Sequence, residues 1–374
     1  MKREELLQLS PYGLPHAEKK KLYEEALTEL TEFHRHGCPA YGRFLDVCGC
    51  RRGGRFLFQE DGGLEDEKLT DTIPLENIPF LPVSVFKEMD LVSVPEDQVV
   101  TKLTSSGTSG QRPSSIALDA GTSAAQQIAL ARIVGDFIGE GRIPYLVLDS
   151  RKVLKDRRLF SARGAGILGF SVFASRTCYA LDENMELDID AVKEFLEKYQ
   201  DKKILLFGFT FMIWKHVVQE LERRGVTLPV KDGFLIHGGG WKKLQSEAVS
   251  PEEFARRVRG VLGPVTISNY YGMAEQTGSI YMECECGHLH ASTWSDILIR
   301  RPEDYSLCET GEKGIIQVLS PLAGSYPGHS LLTEDQGMIL GEDDCPCGRK
   351  GKYFRILGRI PRAEVRGCSD TYEG

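Results

Sequence analysis

No stretch of the 374 residues approaches the roughly 18 consecutive apolar side chains that a membrane-spanning helix needs. The opening Met1-Lys2-Arg3-Glu4-Glu5 lacks the apolar core of a signal peptide, so a cytoplasmic protein is expected. Basic residues are in deficit, 46 against 54 acidic, for a net charge of −8 and a pI near 5.6. That balance leaves no electrostatic footprint for nucleic acid. A reducing compartment also removes a disulfide framework as the use of the ten cysteines; metal ligands, reactive thiols or small core residues remain.

What is present is 41% apolar residues, enough for a sizeable core, in a length that suits roughly two to three domains. The segment Thr104-Ser105-Ser106-Gly107-Thr108-Ser109-Gly110-Gln111-Arg112-Pro113 has two glycines, five hydroxyl side chains and no hydrophobic group, so it reads as an exposed loop. Its glycines let successive N–H groups face one concavity and its hydroxyls add donors, a nest for phosphate oxygens rather than a linker. The Walker lysine is missing. Thr122 to Phe137 follows as a helix with Ala125, Ile128, Ala129, Ile133, Val134 and Phe137 at helical spacing.

Upstream, Ala17 to His34 reads as a helix with Leu22, Ala26, Leu27, Leu30 and Phe33 on its buried face, and Pro79 to Lys87 as an extended segment beneath the glycine loop. Cys38, Cys48 and Cys50 have no nearby fourth ligand and are read as ordinary small residues. Downstream, strands at Ile143 to Leu148, Lys203 to Phe207, Gly233 to His237 and Val265 to Tyr270 alternate with helices at Asp190 to Tyr199, Phe211 to Arg224 and Pro251 to Leu262. This is the rhythm of an α/β fold around a largely parallel sheet. Past Gly278 strands dominate, among them Ile297 to Arg300 and Gly314 to Leu319. The expected division is 1–277 as α/β core, 278–357 as β-rich subdomain, and 358–374 as hinge and tail.

Three strand ends carry unusual residues, where ligands gather in such sheets. His237-Gly238-Gly239-Gly240-Trp241 lets a flat ring approach the backbone; Tyr270-Tyr271-Gly272-Met273-Ala274-Glu275 offers an aromatic face and a carboxylate; Thr333-Glu334-Asp335 puts an acid in a turn. In this order, and followed by Gly358-Arg359, these pieces resemble the adenylate-forming superfamily. Within it Pro82-Val83-Ser84-Val85-Phe86-Lys87, Ser105 to Gly110, Phe207-Gly208-Phe209-Thr210 and Arg366-Gly367-Cys368 look like the acyl-protein synthetases of bioluminescence fatty acid reductase complexes. Cys345-Pro346-Cys347-Gly348-Arg349 before Ile356-Leu357-Gly358-Arg359 is similar to phenylacetate-CoA ligases.

The resemblance implies the large N-terminal domain of that superfamily and ATP-dependent conversion of a carboxylic acid, a fatty acid in this family, to an acyl-adenylate. Ser105, Ser106, Gly107, Thr108, Ser109 and Gly110 would hold phosphates. Gly239, Gly240, Tyr271 and Gly272 would hold adenine, Glu275 Mg²⁺, Asp335 the ribose hydroxyls and Arg359 ribose or phosphate. His237 and Phe209 would line the acyl pocket. Two departures stand out: no lysine follows Pro113, which leaves Arg112 as the available cation, and the sequence ends at Gly374, where a mobile C-terminal domain on the order of a hundred residues with a catalytic lysine is expected.

Cys368 stands where family members carry the acyl-accepting cysteine, so a thioester there would pass the acyl group to a partner, a reductase-like protein or a carrier. The neighbouring Arg366 favours its thiolate. Two other readings remain open: a CoA ligase, and a non-catalytic nucleotide- or partner-binding homologue. Separately, the pairs Cys284/Cys286 and Cys345/Cys347 bracket a β-rich stretch in a zinc-ribbon-like layout, giving four thiolates for a structural zinc with His288 as the first substitute.

Overall fold

The computed structural model describes residues 3–48, 50–51, 55–56, 72–104, 114–155, 162–241 and 246–360. Ser105 to Gly110, Arg112 and Cys368, together with the hinge-side tail beyond Ile360, lie outside the described residues. No helix among those described is long and apolar enough to cross a membrane. The chain forms two compact units that interleave in sequence: described residues of 1–104, 111–133 and 272–364 make one, and those of 134–271 the other. This partition does not follow chain order, unlike the division at 277 and 357.

The unit of residues 134–271 is a parallel sheet. Its strands lie in the order Ala174–Leu181, Ile143–Ser150, Ile204–Phe209, Gly233–Gly238, Thr266–Tyr271. The central strands are buried along their whole length, which is why they read as continuous apolar runs. Helix Ile189–Lys198 starts where Asp188 accepts from the Ala191 N–H (3.0 Å), and Pro251–Leu262 where Ser250 accepts from the Glu253 N–H (3.2 Å). The helix expected from Phe211 to Arg224 is interrupted. Thr210–Met212 and Gln219–Arg224 flank a π-helical stretch, Ile213–Val218, and Gly225 ends the run at φ 66°.

The other unit is largely antiparallel. Its strands run in the order Asp296–Arg300, Gly314–Leu319, Ser330–Glu342, Lys352–Arg359, Leu289–His290, Tyr281–Glu283. Leu81–Pro82 adds a short parallel pairing to Leu331 and Leu332, and the chain then coils into a helical turn at Val85–Glu88, so Pro79 to Lys87 is extended only in part. A hairpin of Val99–Thr104 and Ser115–Asp119 leads into helix Ala120–Ile138.

Helix His16–Gly37 packs on this unit by a face one position away from the one expected. Lys19, Tyr23, Leu27, Thr31 and His34 are buried, while Phe33 is 47% exposed. Polar side chains go inward because each finds a partner: Lys19 Nζ donates to Ser295 O (2.6 Å), Tyr23 Oη to Thr293 O (3.0 Å), and His34 Nε2 meets Ala323 O (2.9 Å).

Candidate functional site

In the parallel unit, Asn269 pairs with His237 and Tyr270 with Gly238, so Tyr271 and Gly239-Gly240 leave the carboxyl ends of two adjacent strands. Gly239 sits at φ 74°, and a Cβ there would come within 2.8 Å of the Phe209 ring; Gly240 has open space. Phe209 is buried, and so is His237, whose Nδ1 lies 3.0 Å from Thr210 Oγ1 while that hydroxyl also reaches Gly238 O at 3.2 Å. Burial lowers His237 to about 4, so the ring is neutral near pH 7 and packs on Phe254 at 4.8 Å.

In the antiparallel unit, Glu275 occupies a 3₁₀ turn, Ala274–Gln276, and is 6% exposed. Among the described residues no hydrogen bond or ion pair reaches its carboxylate. A carboxylate with no internal partner is open to a hard cation. Asp335 lies not in a turn but within the 13-residue strand Ser330–Glu342, at a bulge: Thr333-Glu334-Asp335 stand opposite Ile316 alone on the Gly314–Leu319 side, while Asp335 keeps its place in the ladder with Lys352–Arg359. Asp335 lies opposite Arg359 in register, with Arg359 Nε 3.8 Å from Asp335 Oδ1. The two residues expected to face the ribose are thus neighbours on one ladder.

The same unit gathers a cluster of donors. Cys284 Sγ, Cys345 Sγ, Cys347 Sγ and a ring nitrogen of His290 all lie within 4.8 Å of one another. Cys284 and Cys345 sulfurs are 3.9 Å apart, and His290 Nε2 is 3.4 Å from Cys347 Sγ. Tetrahedral Zn–S bonds of about 2.3 Å imply sulfur pairs about 3.8 Å apart, so the donors fit that ion in type and spacing. Cys286 is not part of the group. The hairpin pairs Met282 with His290 and Glu283 with Leu289, which leaves Cys286 exposed in the turn, its N–H directed at Cys284 Sγ (3.4 Å). His288 stands beside the cluster, Nδ1 3.3 Å from Cys345 Sγ, and both histidine rings stack on Tyr353. Burial pushes the metal-free Cys284 thiol up to about 11.

The sequence model of the family described as acyl-protein synthetase, LuxE, matches residues 4–373. The chain belongs to that family. The synthetase is 24% identical over 367 residues to the long-chain-fatty-acid–luciferin-component ligase of Vibrio harveyi, covering 94% of this chain and 87% of that protein. It is 22% identical over 311 residues to the protein of the same name from Aliivibrio fischeri, covering 79% and 78%. Among solved structures it is similar to 2-hydroxyisobutyryl-CoA ligase in an open conformation with 2-HIB-AMP and CoA, at TM-score 0.66 and 15% identity over 93% of this chain and 76% of that one. The same ligase in its thioesterification state gives 0.66 and 16% over 94% and 70%. The synthetase therefore has the adenylate-forming fold and is an acid-activating ligase.

Proposed function

We propose that this synthetase activates a long-chain fatty acid with ATP and delivers it to a partner protein through Cys368. A carboxylate oxygen attacks the α-phosphorus, forming the acyl-adenylate and releasing pyrophosphate. The Cys368 thiolate then attacks the acyl carbonyl, a C–S bond replaces the C–O bond to AMP, and AMP leaves. The family match over residues 4–373 carries this reading, and the substrate class follows the names of the two Vibrio-group relatives.

In this reading Ser105, Ser106, Gly107, Thr108, Ser109 and Gly110 hold the phosphates, Gly239, Gly240, Tyr271 and Gly272 the adenine, and Asp335 the ribose. Arg359, already beside Asp335, orients that acid or meets the ribose. Support for Glu275 as the magnesium acid is a carboxylate that no hydrogen bond or ion pair engages among the described residues. Mg²⁺ bound there would neutralise charge on the phosphates during adenylation. Cys284, Cys345, Cys347 and His290 would hold a structural zinc.

The test incubates the protein with ATP, Mg²⁺ and a panel of labelled carboxylic acids, with and without CoA, followed by denaturing gels with and without hydroxylamine. Protein-bound, hydroxylamine-labile label with long-chain acids is expected. Product that forms only with CoA would replace this reading with a CoA ligase, and no acid-dependent pyrophosphate exchange would end the adenylation reading.

A further inference from the structure

A chain of buried hydrogen bonds runs from helix Ala120–Ile138 to the turn that carries Glu275. Gln126, 3% exposed, donates from Nε2 to Tyr326 Oη at 3.3 Å, and the fully buried Tyr326 donates from Oη to the main-chain carbonyl of Glu275 at 2.9 Å. The next residue is clamped too, since Gln276 Nε2 donates to Gly328 O (2.8 Å) and Val318 O (3.2 Å). Steric fit closes the arrangement. A Cβ on Gly328 would overlap the Tyr326 ring and stand 3.0 Å from the Glu275 carbonyl, and one on Gly278, at φ 85°, would collide with the Gln126 backbone.

The Tyr326 ring already packs edge-on to Phe86 at 6.0 Å, so its hydroxyl is not needed to fill space. Burial pushes that hydroxyl far up, keeping it a neutral donor. Its acceptor is a backbone carbonyl, so the bond sets where the Glu275 main chain lies and hence where the carboxylate can reach. The support extends to the segment that follows the Ser/Thr/Gly loop in sequence: Ser325 Oγ donates to Ala117 O (2.8 Å), and Asp119 Oδ1 accepts from the Thr122 N–H (2.7 Å) at the start of the Gln126 helix.

We infer that Tyr326 and Gln126 are positioning residues for Glu275, holding its turn so that the carboxylate meets Mg²⁺ on the nucleotide. This rests on the magnesium role proposed for Glu275. Outer partners of metal-binding groups are typically worth about 10- to 100-fold in metal affinity.

The test is calorimetric titration of the full chain with ATP at a series of Mg²⁺ concentrations, with no acid substrate. Tyr326→Phe should raise the Mg²⁺ concentration for half-maximal ATP binding about tenfold, with wild-type ATP affinity regained at saturating Mg²⁺. A loosened fold would not give that recovery. Gln126→Leu should shift the Mg²⁺ dependence in the same direction, and decides the matter if Tyr326→Phe does not fold. Glu275→Gln separates the two layers. If it shifts the Mg²⁺ dependence while both positioning variants match wild type, the positioning inference alone is wrong. If it leaves the dependence unchanged, the magnesium role of Glu275 is wrong and the inference falls with it.

Discussion

Cys284 Sγ stands 3.9 Å from Cys345 Sγ across 61 positions of sequence, a contact that joins the Tyr281–His290 hairpin to the turn before strand Lys352–Arg359. Cys347 and His290 complete the donor set. Elemental analysis of protein purified without chelator is expected to find one zinc per chain. Cys284→Ser and His290→Ala should lose the metal and lower the melting temperature together, because binding free energy at such a site is folding free energy. Cys286→Ser should keep the zinc. Metal-free wild type, or loss of metal in Cys286→Ser alone, would refute this ligand set.

Buried charge offers a second prediction. Asp296 is fully buried, with Lys19 Nζ 3.8 Å from one carboxylate oxygen and Lys352 Nζ 3.6 Å from the other. Asp296→Asn strands two buried ammonium groups and should cost about 3–5 kcal/mol in urea denaturation at pH 7. Burial opposes the Asp296 charge, but Lys19, Lys352 and His16 outweigh it and hold the folded pKa below 3.8. A depressed carboxylate contributes stability above its unfolded pKa and loses it as pH falls through the folded value. Wild type should therefore show a loss of stability below pH 3.8 that Asp296→Asn lacks.

A second pH effect arises from His34 and His329, whose rings stack at 5.1 Å inside the antiparallel unit. His34 Nδ1 lies 2.8 Å from Ser93 Oγ, and His329 Nε2 lies 3.0 Å from Thr31 Oγ1. Burial lowers His34 to about 4 and His329 well below 6.5. Between those values and 6.5 the unfolded chain binds protons that the folded one refuses, so stability falls as pH drops from 6.5 towards 4. His34 alone accounts for about 3 kcal/mol over that window. Denaturation at pH 7 and pH 4.5 should show the drop, and His34→Asn should reduce it; an unchanged slope in that variant would contradict the assignment.

Cys368→Ser should retain acid-dependent pyrophosphate exchange and lose protein-bound acyl label, since a serine hydroxyl lacks a thiolate's nucleophilicity at neutral pH. Wild-type levels of hydroxylamine-labile label on this variant would place the acceptor elsewhere.

Much of the parallel unit was legible because its signals are local. Strands such as Ile204–Phe209 are buried on both faces and so appear as apolar runs, and the limits of Pro251–Leu262 are written in Ser250, Pro251 and Gly263. Ala174–Leu181 and the helix Ala162–Ser171 before it went unread. That strand pairs on one side only among the described residues, and its exposed Ser175, Arg176 and Thr177 hide the pattern. The π-helical stretch is invisible for a different reason: one extra residue per turn changes no residue type.

By itself the amino-acid order determined the α/β class, the family resemblance and the clustering of cysteines in two short pairs, since each is read from short strings of side chains and their order along the chain. Only the tertiary structure decided that His290, and not Cys286, joins three thiols, because the choice depends on a hairpin register and on a turn 55 or more residues further along. It likewise placed Asp335 within a strand, turned Lys19 and His34 inward, and tied the Glu275 backbone to Tyr326. Burial and long-range hydrogen bonding are properties of the packed chain, where a residue's partner is set by strand register rather than by its neighbours in sequence.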